Sequence, residues 1–316
     1  MVQPIVRIGT RASKLALTQA GHMQRRIAAA LGYGPDQADA VAPLVRITTT
    51  GDQVQDRRLL EIGGKALFTK EIEEAMLGGR IDCAVHSMKD VPVERRPGLV
   101  LAAIPEREDP RDAFVSPRFA LLADLPQGAR LGTASLRRQA QALHVRPDLE
   151  IVMVRGNVDT RLTKLERGEA DAMLLALAGL KRLGLEGVVR SALDPIANPP
   201  APGQGALAIE TPGRLAEADW VKVLRHAPTA VAVAAERGAL EALEGSCRTA
   251  IGAHARVEGA DLIVTVEALT PDGAQRFRRE GRIAYADDAG PEARALGERL
   301  GADIRQEGGD RLLLSI

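Results

Sequence analysis

Apolar positions along the chain keep helical spacing in two places. After Ser13 they fall at Ala16, Ala20, Met23, Ile27 and Leu31, and after Ser135 at Leu136, Ala140 and Leu143. Each run follows a short apolar stretch closed by Gly-Thr. RIGTRASKLAL (7–17) and RLGTASLRRQA (130–140) therefore read alike, as strand, turn, capping serine and helix. A second pair, EEAMLGGRIDCAV (73–85) and LTKLERGEADAML (162–174), reads as a helix ending at glycine and a strand opening on Asp. Two matching pairs in the same order predict two lobes of similar α/β design with mostly parallel sheets.

The joints are legible too. Residues 103–112 are polar with two prolines, and residues 194–205 hold four prolines and two glycines, so neither stretch suits a regular element. GALAIE (205–210) then reads as a strand of the first lobe. The chain is expected to cross into the second lobe and return, and two crossings make a hinge with a cleft. From Pro228 the pattern changes. Thr229 is expected to cap a helix, followed by strands near 251–257 and 262–269, a TPDG turn into 274–279, and a last helix near 291–300. The predicted division is 1–105 with 203–224 as lobe one, 106–202 as lobe two, and 225–316 as a small α+β domain.

Composition narrows the class. The 316 residues are 45% hydrophobic and 27% charged, ordinary for a globular protein, and their length suits two or three domains. Forty-two basic residues balance forty-two acidic ones, so no global field draws the chain to nucleic acid or an anionic membrane. The longest strongly apolar run, Ala172 to Leu180, falls far short of a membrane span. The opening MVQPIVRIGT has no basic stretch before an apolar core, so the expectation is a cytoplasmic protein. The two cysteines, Cys83 and Cys247, form no CxxC pair, and no Cys/His cluster has zinc spacing, so no metal is expected.

The candidate chemistry is basic. With Ser135 as cap, Arg137 and Arg138 enter the first helical turn, where free N–H groups and partial positive charge favour acids. Either nearby acids pair with them, or an anionic ligand makes cations, dipole and N–H groups favourable together. In RGNVDTRL, Arg155 sits at a strand's carboxyl end, Gly156 and Asn157 turn, and Arg161 lies in the next helix. Arg11 occupies the matching turn of lobe one, beside Ser13. Ligands of open parallel sheets bind at such ends, and arginine clusters suit carboxylates or phosphates. In AVHSMKDVP a strand runs into Ser87, Lys89 and Asp90. Asp90 is either a turn residue or a carboxylate that arginines keep ionised, able to stabilise a cation or relay a proton. GGKALFTKE (63–71) is either a flap or a loop-to-helix junction with Phe68 in the core. Cys247 is either a small buried residue or a loop thiol made nucleophilic by arginines; Cys83, alternating with Ile81 and Val85, reads as core. A two-lobed carboxylate-binding protein without catalysis and a nucleotide-dependent transferase are the alternatives. No phosphate loop and no GxGxxG after a strand favours the second, and Asp90 and Cys247 lack a purpose in the first.

Ten strings in family order resemble the porphobilinogen deaminase (hydroxymethylbilane synthase) family: IGTRASKLAL, TTTGD, GGKALFTKE, VHSMKDVP, EREDPRDAF, GTASLRRQAQ, RGNVDTRL, LALAGLKRLGL, PAPGQGALAIE and EGSCRTAIGAHA. They cover Ile8 to about Ala255. The resemblance implies head-to-tail condensation of four porphobilinogens into hydroxymethylbilane with release of ammonia, in tetrapyrrole and heme biosynthesis. It implies a dipyrromethane cofactor held by a thioether on Cys247, and Asp90 as the catalytic aspartate. Arg11, Ser13, Lys89, Arg137, Arg138, Arg155 and Arg161 match residues that bind acetate and propionate groups. Ser87, Thr133, Ser135 and Gln204 match cleft positions of lesser role, and Lys65 and Phe68 match a flexible loop. The implied fold has two lobes like a type II periplasmic binding protein plus a third domain, in a monomer. The family pattern leads one to expect Gly-Gly before the cysteine, where this chain has Gly245-Ser246, and glycine in place of Ala66; neither change removes a reacting group.

Overall fold

The computed structural model describes residues 5–53, 68–243 and 249–314. Lys65, Cys247 and most of the glycine-paired segment 63–71 lie outside the described residues. The chain divides into two units, Met1–Glu108 with Ala206–Ala230, and Asp109–Gly205 with Val231–Ile316.

The first unit begins with β1 (Ile8–Arg11), α1 (Lys14–Ala30), α2 (Ala38–Val41), β2 (Leu44–Ile47) and α3 (Thr50–Gln53). It continues through α4 (Lys70–Leu77), β3 (Cys83–Ser87) and β4 (Leu99–Ala103). The second unit then supplies β5 (Asp112–Val115), β6 (Arg130–Gly132), α5 (Leu136–Val145), β7 (Glu150–Val152), α6 (Val158–Glu166), β8 (Ala172–Ala176), α7 (Leu177–Arg182) and β9 (Ser191–Ala192). The chain returns to the first unit for β10 (Leu207–Pro212) and α8 (Asp219–Lys222). It closes with α9 (Ala227–Ala242), β11 (Ala250–Glu258), β12 (Asp261–Leu269), β13 (Arg276–Ala284) and α10 (Gly290–Gly308).

The predicted repeat appears in the sheets. The order β2-β1-β3-β10-β4 in the first unit has its counterpart in β7-β6-β8-β5-β9 in the second. In each sheet the first three strands are parallel and the fourth is antiparallel. Alternating side chains cover both faces. Cys83 and Val85 pack with Met23 and Ile27 of α1, while Ala84 packs with Ile72 and Met76 of α4. In the second unit Phe114 and Leu174 meet Ala142 of α5, and Ala113 and Met173 meet Leu165 of α6.

The repeat extends to an ion pair. Asp82, at the entry to β3, accepts from the Arg7 backbone (2.8 Å), Nε (2.9 Å) and Nη2 (2.8 Å). Asp171, at the entry to β8, accepts from the Arg130 backbone (2.9 Å) and Nε (3.3 Å). One fork thus locks β1 to β3, and the other locks β6 to β8.

The three-stranded antiparallel sheet β11-β12-β13 is backed by α9 and α10. The two helices approach closely at small residues: a Cβ on Gly297 would overlap the Ala235 carbonyl, and one on Gly301 would lie 2.7 Å from that of Ala239. Two expectations shift. The α9 helix begins at Ala227, so Thr229 lies in its first turn, where its hydroxyl accepts from the Arg107 N–H (3.1 Å). Strand β13 begins at Arg276 rather than 274, because the Thr270–Asp272 side chains hold Ala274 and Gln275 in the turn. Among the described residues no helix is long and apolar enough to cross a membrane.

Candidate active site

In the first unit the candidate residues lie at the carboxyl ends of β1 and β3 or just beyond them, Arg11 closing β1 rather than standing in the turn after it. Ser13 caps α1 as predicted, its Oγ accepting from the Ala16 N–H (3.3 Å). The Arg11 guanidinium stacks on the Phe68 ring, 4.2 Å from its centroid, so Phe68 orients a cation rather than filling the core alone. Beyond Phe68, Glu71 accepts from the backbone (3.1 Å) and hydroxyl (2.5 Å) of Thr50. Ser87 ends β3 and exchanges a hydrogen bond with Gln19 of α1 (3.1 Å). A 3-10 turn, Met88–Asp90, comes next. Met88 is fully buried and its N–H donates to the Ala206 carbonyl (3.0 Å), which leaves Lys89 and Asp90 exposed on an anchored turn.

In the second unit the residues after β6 and β7 gather. The Thr133 N–H donates to the Val152 carbonyl (2.9 Å), and its hydroxyl accepts from the Ser135 N–H (3.1 Å). Ser135 caps α5, accepting from the Arg138 N–H (3.4 Å). Arg137 and Arg138 are both buried, and the acid that meets them is internal. Asp112 accepts from Arg137 Nη1 (2.7 Å), Arg138 Nε (3.0 Å) and Nη2 (2.7 Å), and Gln204 Nε2 (2.9 Å). Burial alone would push the Asp112 carboxyl up; the two arginine charges and their hydrogen bonds outweigh it and hold the group far below the usual carboxylate range. Arg138 also donates to the Leu174 carbonyl (3.0 Å), so its donors serve internal acceptors. Arg137 differs: its Nε is buried with no hydrogen-bond partner among the described residues.

Arg155 follows β7 and carries a second such donor, a buried Nη1 without a partner among the described residues. Arg161 lies in α6 as predicted, its Nε donating to the Gly156 carbonyl (2.8 Å). Gly156 has φ +114, a conformation that suits only glycine here, since a Cβ would also press on Thr160. The C-terminal sheet buttresses α5. Gln141 Nε2 donates to Glu267 (2.7 Å) and to the Pro199 carbonyl (2.9 Å), while its Oε1 accepts from Arg137 Nη1 (2.8 Å). Cys83 is fully buried, and burial pushes its thiol well up, as a core residue.

Sequence reasoning missed three contributors. Asp112 opens an apolar strand, and Glu210 stands within another with His86 on its neighbour. The available signal was an acid within an apolar run, which needs a buried partner.

Comparison with known proteins bears on the family of the whole chain. A family model described as "Porphobilinogen deaminase, dipyromethane cofactor binding domain" matches residues 6–218, and one described as "Porphobilinogen deaminase, C-terminal domain" matches residues 230–306. A porphobilinogen deaminase of Caulobacter sp. (strain K31) is 68% identical over 315 residues, 99% of each chain. One of Phenylobacterium zucineum (strain HLK1) is 63% identical over 317 residues, again 99% of each. Among solved structures, a nutrient binding protein from Burkholderia cenocepacia bound to methionine aligns with 70% of this chain and 90% of its own, at 15% identity and a TM-score of 0.44. With its two family models in order and relatives matched end to end, the chain belongs to the porphobilinogen deaminase family.

Proposed function

We propose that this transferase condenses four porphobilinogens into hydroxymethylbilane, releasing one ammonia at each step, with Asp90 as its catalytic carboxylate and Cys247 as the thioether anchor of dipyrromethane. The observation that carries the assignment of residues is a pair of buried guanidinium donors with no partner among the described residues, Arg137 Nε and Arg155 Nη1. Dipyrromethane and porphobilinogen bring acetate and propionate carboxylates, the acceptors such donors lack. The residues therefore fit the group.

When bound, dipyrromethane supplies a free pyrrole α-carbon as nucleophile and the anchor for the growing chain. Arg137 and Arg155 hold carboxylates, and Arg161, with its Nε fixed on Gly156, adds a further cation from the second unit. Arg138, braced on Asp112 and Gln204, keeps α5 in place more than it offers free donors. Arg11, oriented by Phe68, and Lys89 supply cations in the first unit. Asp90 accepts hydrogen bonds from pyrrole N–H groups and stabilises the positive charge left when the aminomethyl nitrogen departs as ammonia. The same carboxylate takes part in moving the α-proton that the attacking pyrrole ring loses once the new C–C bond has formed. Ser13, Ser87, Thr133, Ser135 and Gln204 act through the caps and hydrogen bonds described above. Lys65 and Phe68 are assigned to a loop over the site. We also assign the chain to the cytoplasm, as a monomer, with a C-terminal domain from about residue 225.

The test is the intact mass of the purified protein with peptide mapping around Cys247. An increment of two linked pyrrole units on that peptide is the expected result. A chain that stays unmodified after porphobilinogen is added, with no ammonia released, overturns the assignment.

A further inference from the structure

Glu210 is the one charged residue of strand β10, and it is 1% exposed. In the antiparallel register Glu210 pairs with Ala84 and Ala208 with His86, so Glu210 and His86 share one face as diagonal neighbours. The Glu210 Oε2 lies 3.0 Å from His86 Nε2, and its Oε1 accepts from the Arg95 guanidinium. His86 is buried, and Arg95 Nε is buried with no hydrogen-bond partner among the described residues. A buried charge cluster of this kind adds little stability over apolar side chains of the same volume, so its reason lies in the conformation it selects.

That conformation is local. His86 comes just before Ser87 and the Met88–Asp90 turn, and Arg95 comes after Val91 and Pro92. One carboxylate thus grips the chain on both sides of Asp90. The Met88 N–H on the Ala206 carbonyl adds a third tie, from the segment leading into β10. We infer that Glu210, with His86 and Arg95, is a positioning device for Asp90: it closes the segment 86–95 into a fixed loop and aims the exposed carboxylate at its centre. This rests on the reading of Asp90 as the catalytic carboxylate.

The holoenzyme carrying Glu210→Gln tests it. The amide keeps the volume but loses the charge that holds both partners. The expected result is a kcat about 10- to 100-fold lower with KM little changed, since a misplacement of about 1 Å has that effect on rate. Amide exchange in 88–95 should accelerate while the rest of the chain is unchanged. In an Asp90→Glu background, where the carboxylate is already displaced, the same substitution should change kcat far less. Arg95→Lys should retain most of the rate that Arg95→Leu loses, and this pair carries the test if Glu210→Gln does not fold. An equal fall in both backgrounds, or a raised KM with intact kcat, overturns the proposal. Failure of the Asp90 reading itself shows separately, as full turnover by Asp90→Ala.

Discussion

Asp112→Asn removes one charge and almost no volume from the centre of the second unit. The carboxylate accepts four hydrogen bonds of 2.7–3.0 Å, three from arginines that are themselves buried. The amide leaves two buried guanidiniums without the counter-charge they share, and it turns an N–H group toward one of them. Breaking a buried ion pair from one side costs about 3–5 kcal/mol. For a unit of this size that lowers Tm by about 10 °C. The pH dependence has a definite sign. The folded carboxyl is held far below its unfolded value, so its contribution is complete above the unfolded range near about pH 4 and lost only in stronger acid. The gap between wild type and variant in urea unfolding should therefore be constant across neutral pH. An external carboxylate would find both arginines released, so porphobilinogen should raise the Tm of the variant more than that of wild type. A loss below about 1 kcal/mol, or no extra gain from the ligand, would refute the assignment of Asp112 as the brace of these arginines.

Gly297→Val places side-chain atoms on the Ala235 carbonyl where α9 meets α10, and the urea midpoint should report a loss of about 1–3 kcal/mol. Asp90→Ala should lower kcat by about 100- to 1,000-fold while the circular dichroism spectrum stays native, because the residue is exposed on an anchored turn. The Asp148 carboxyl, hydrogen-bonded by Arg146 Nε (2.7 Å) and Nη2 (2.7 Å), should titrate at about 2 by NMR. What it contributes is present above the unfolded carboxylate range and disappears as pH falls toward that value, and Arg146→Ala should return the titration to the ordinary range. Cys83, fully buried with its thiol pushed up, should resist alkylation in the native protein and react in urea.

Local signals carried most of what could be read from residues alone. The capping serines, Gly156 and the Asp that opens β3 and β8 act within a few positions of the elements they shape, so spacing exposes them. The repeat made the parallel core of each sheet legible. The antiparallel strands β5 and β10 were harder, because each completes its sheet through partners far along the chain: Phe114 lies opposite Leu174, and Ile209 opposite Val85. The same distance hid the acids. Arg137 and Arg138 were visible as misplaced charges at a helix start, but Asp112 is 25 residues from the first of them. Glu210 meets His86 across 124 residues. Within the site, the arginines were legible as a class. Which of them keeps an open donor depends on where Asp112 and Gln204 end up, and that follows only from the folded chain.

The strand order also fixes a timetable for synthesis. Strand β10 lies between β3 and β4, so the N-terminal sheet stays split until residue 212 has left the ribosome. The sheet β7-β6-β8-β5-β9 uses only residues 112–192 and is complete before that point. Nascent chains usually fold from the N-terminus onward. Here the order is reversed: the half made second closes first, and the half made first waits with an open β3 edge. A pause in translation between residues 192 and 212 would lengthen that exposure, and unpaired strand edges of this kind recruit other chains.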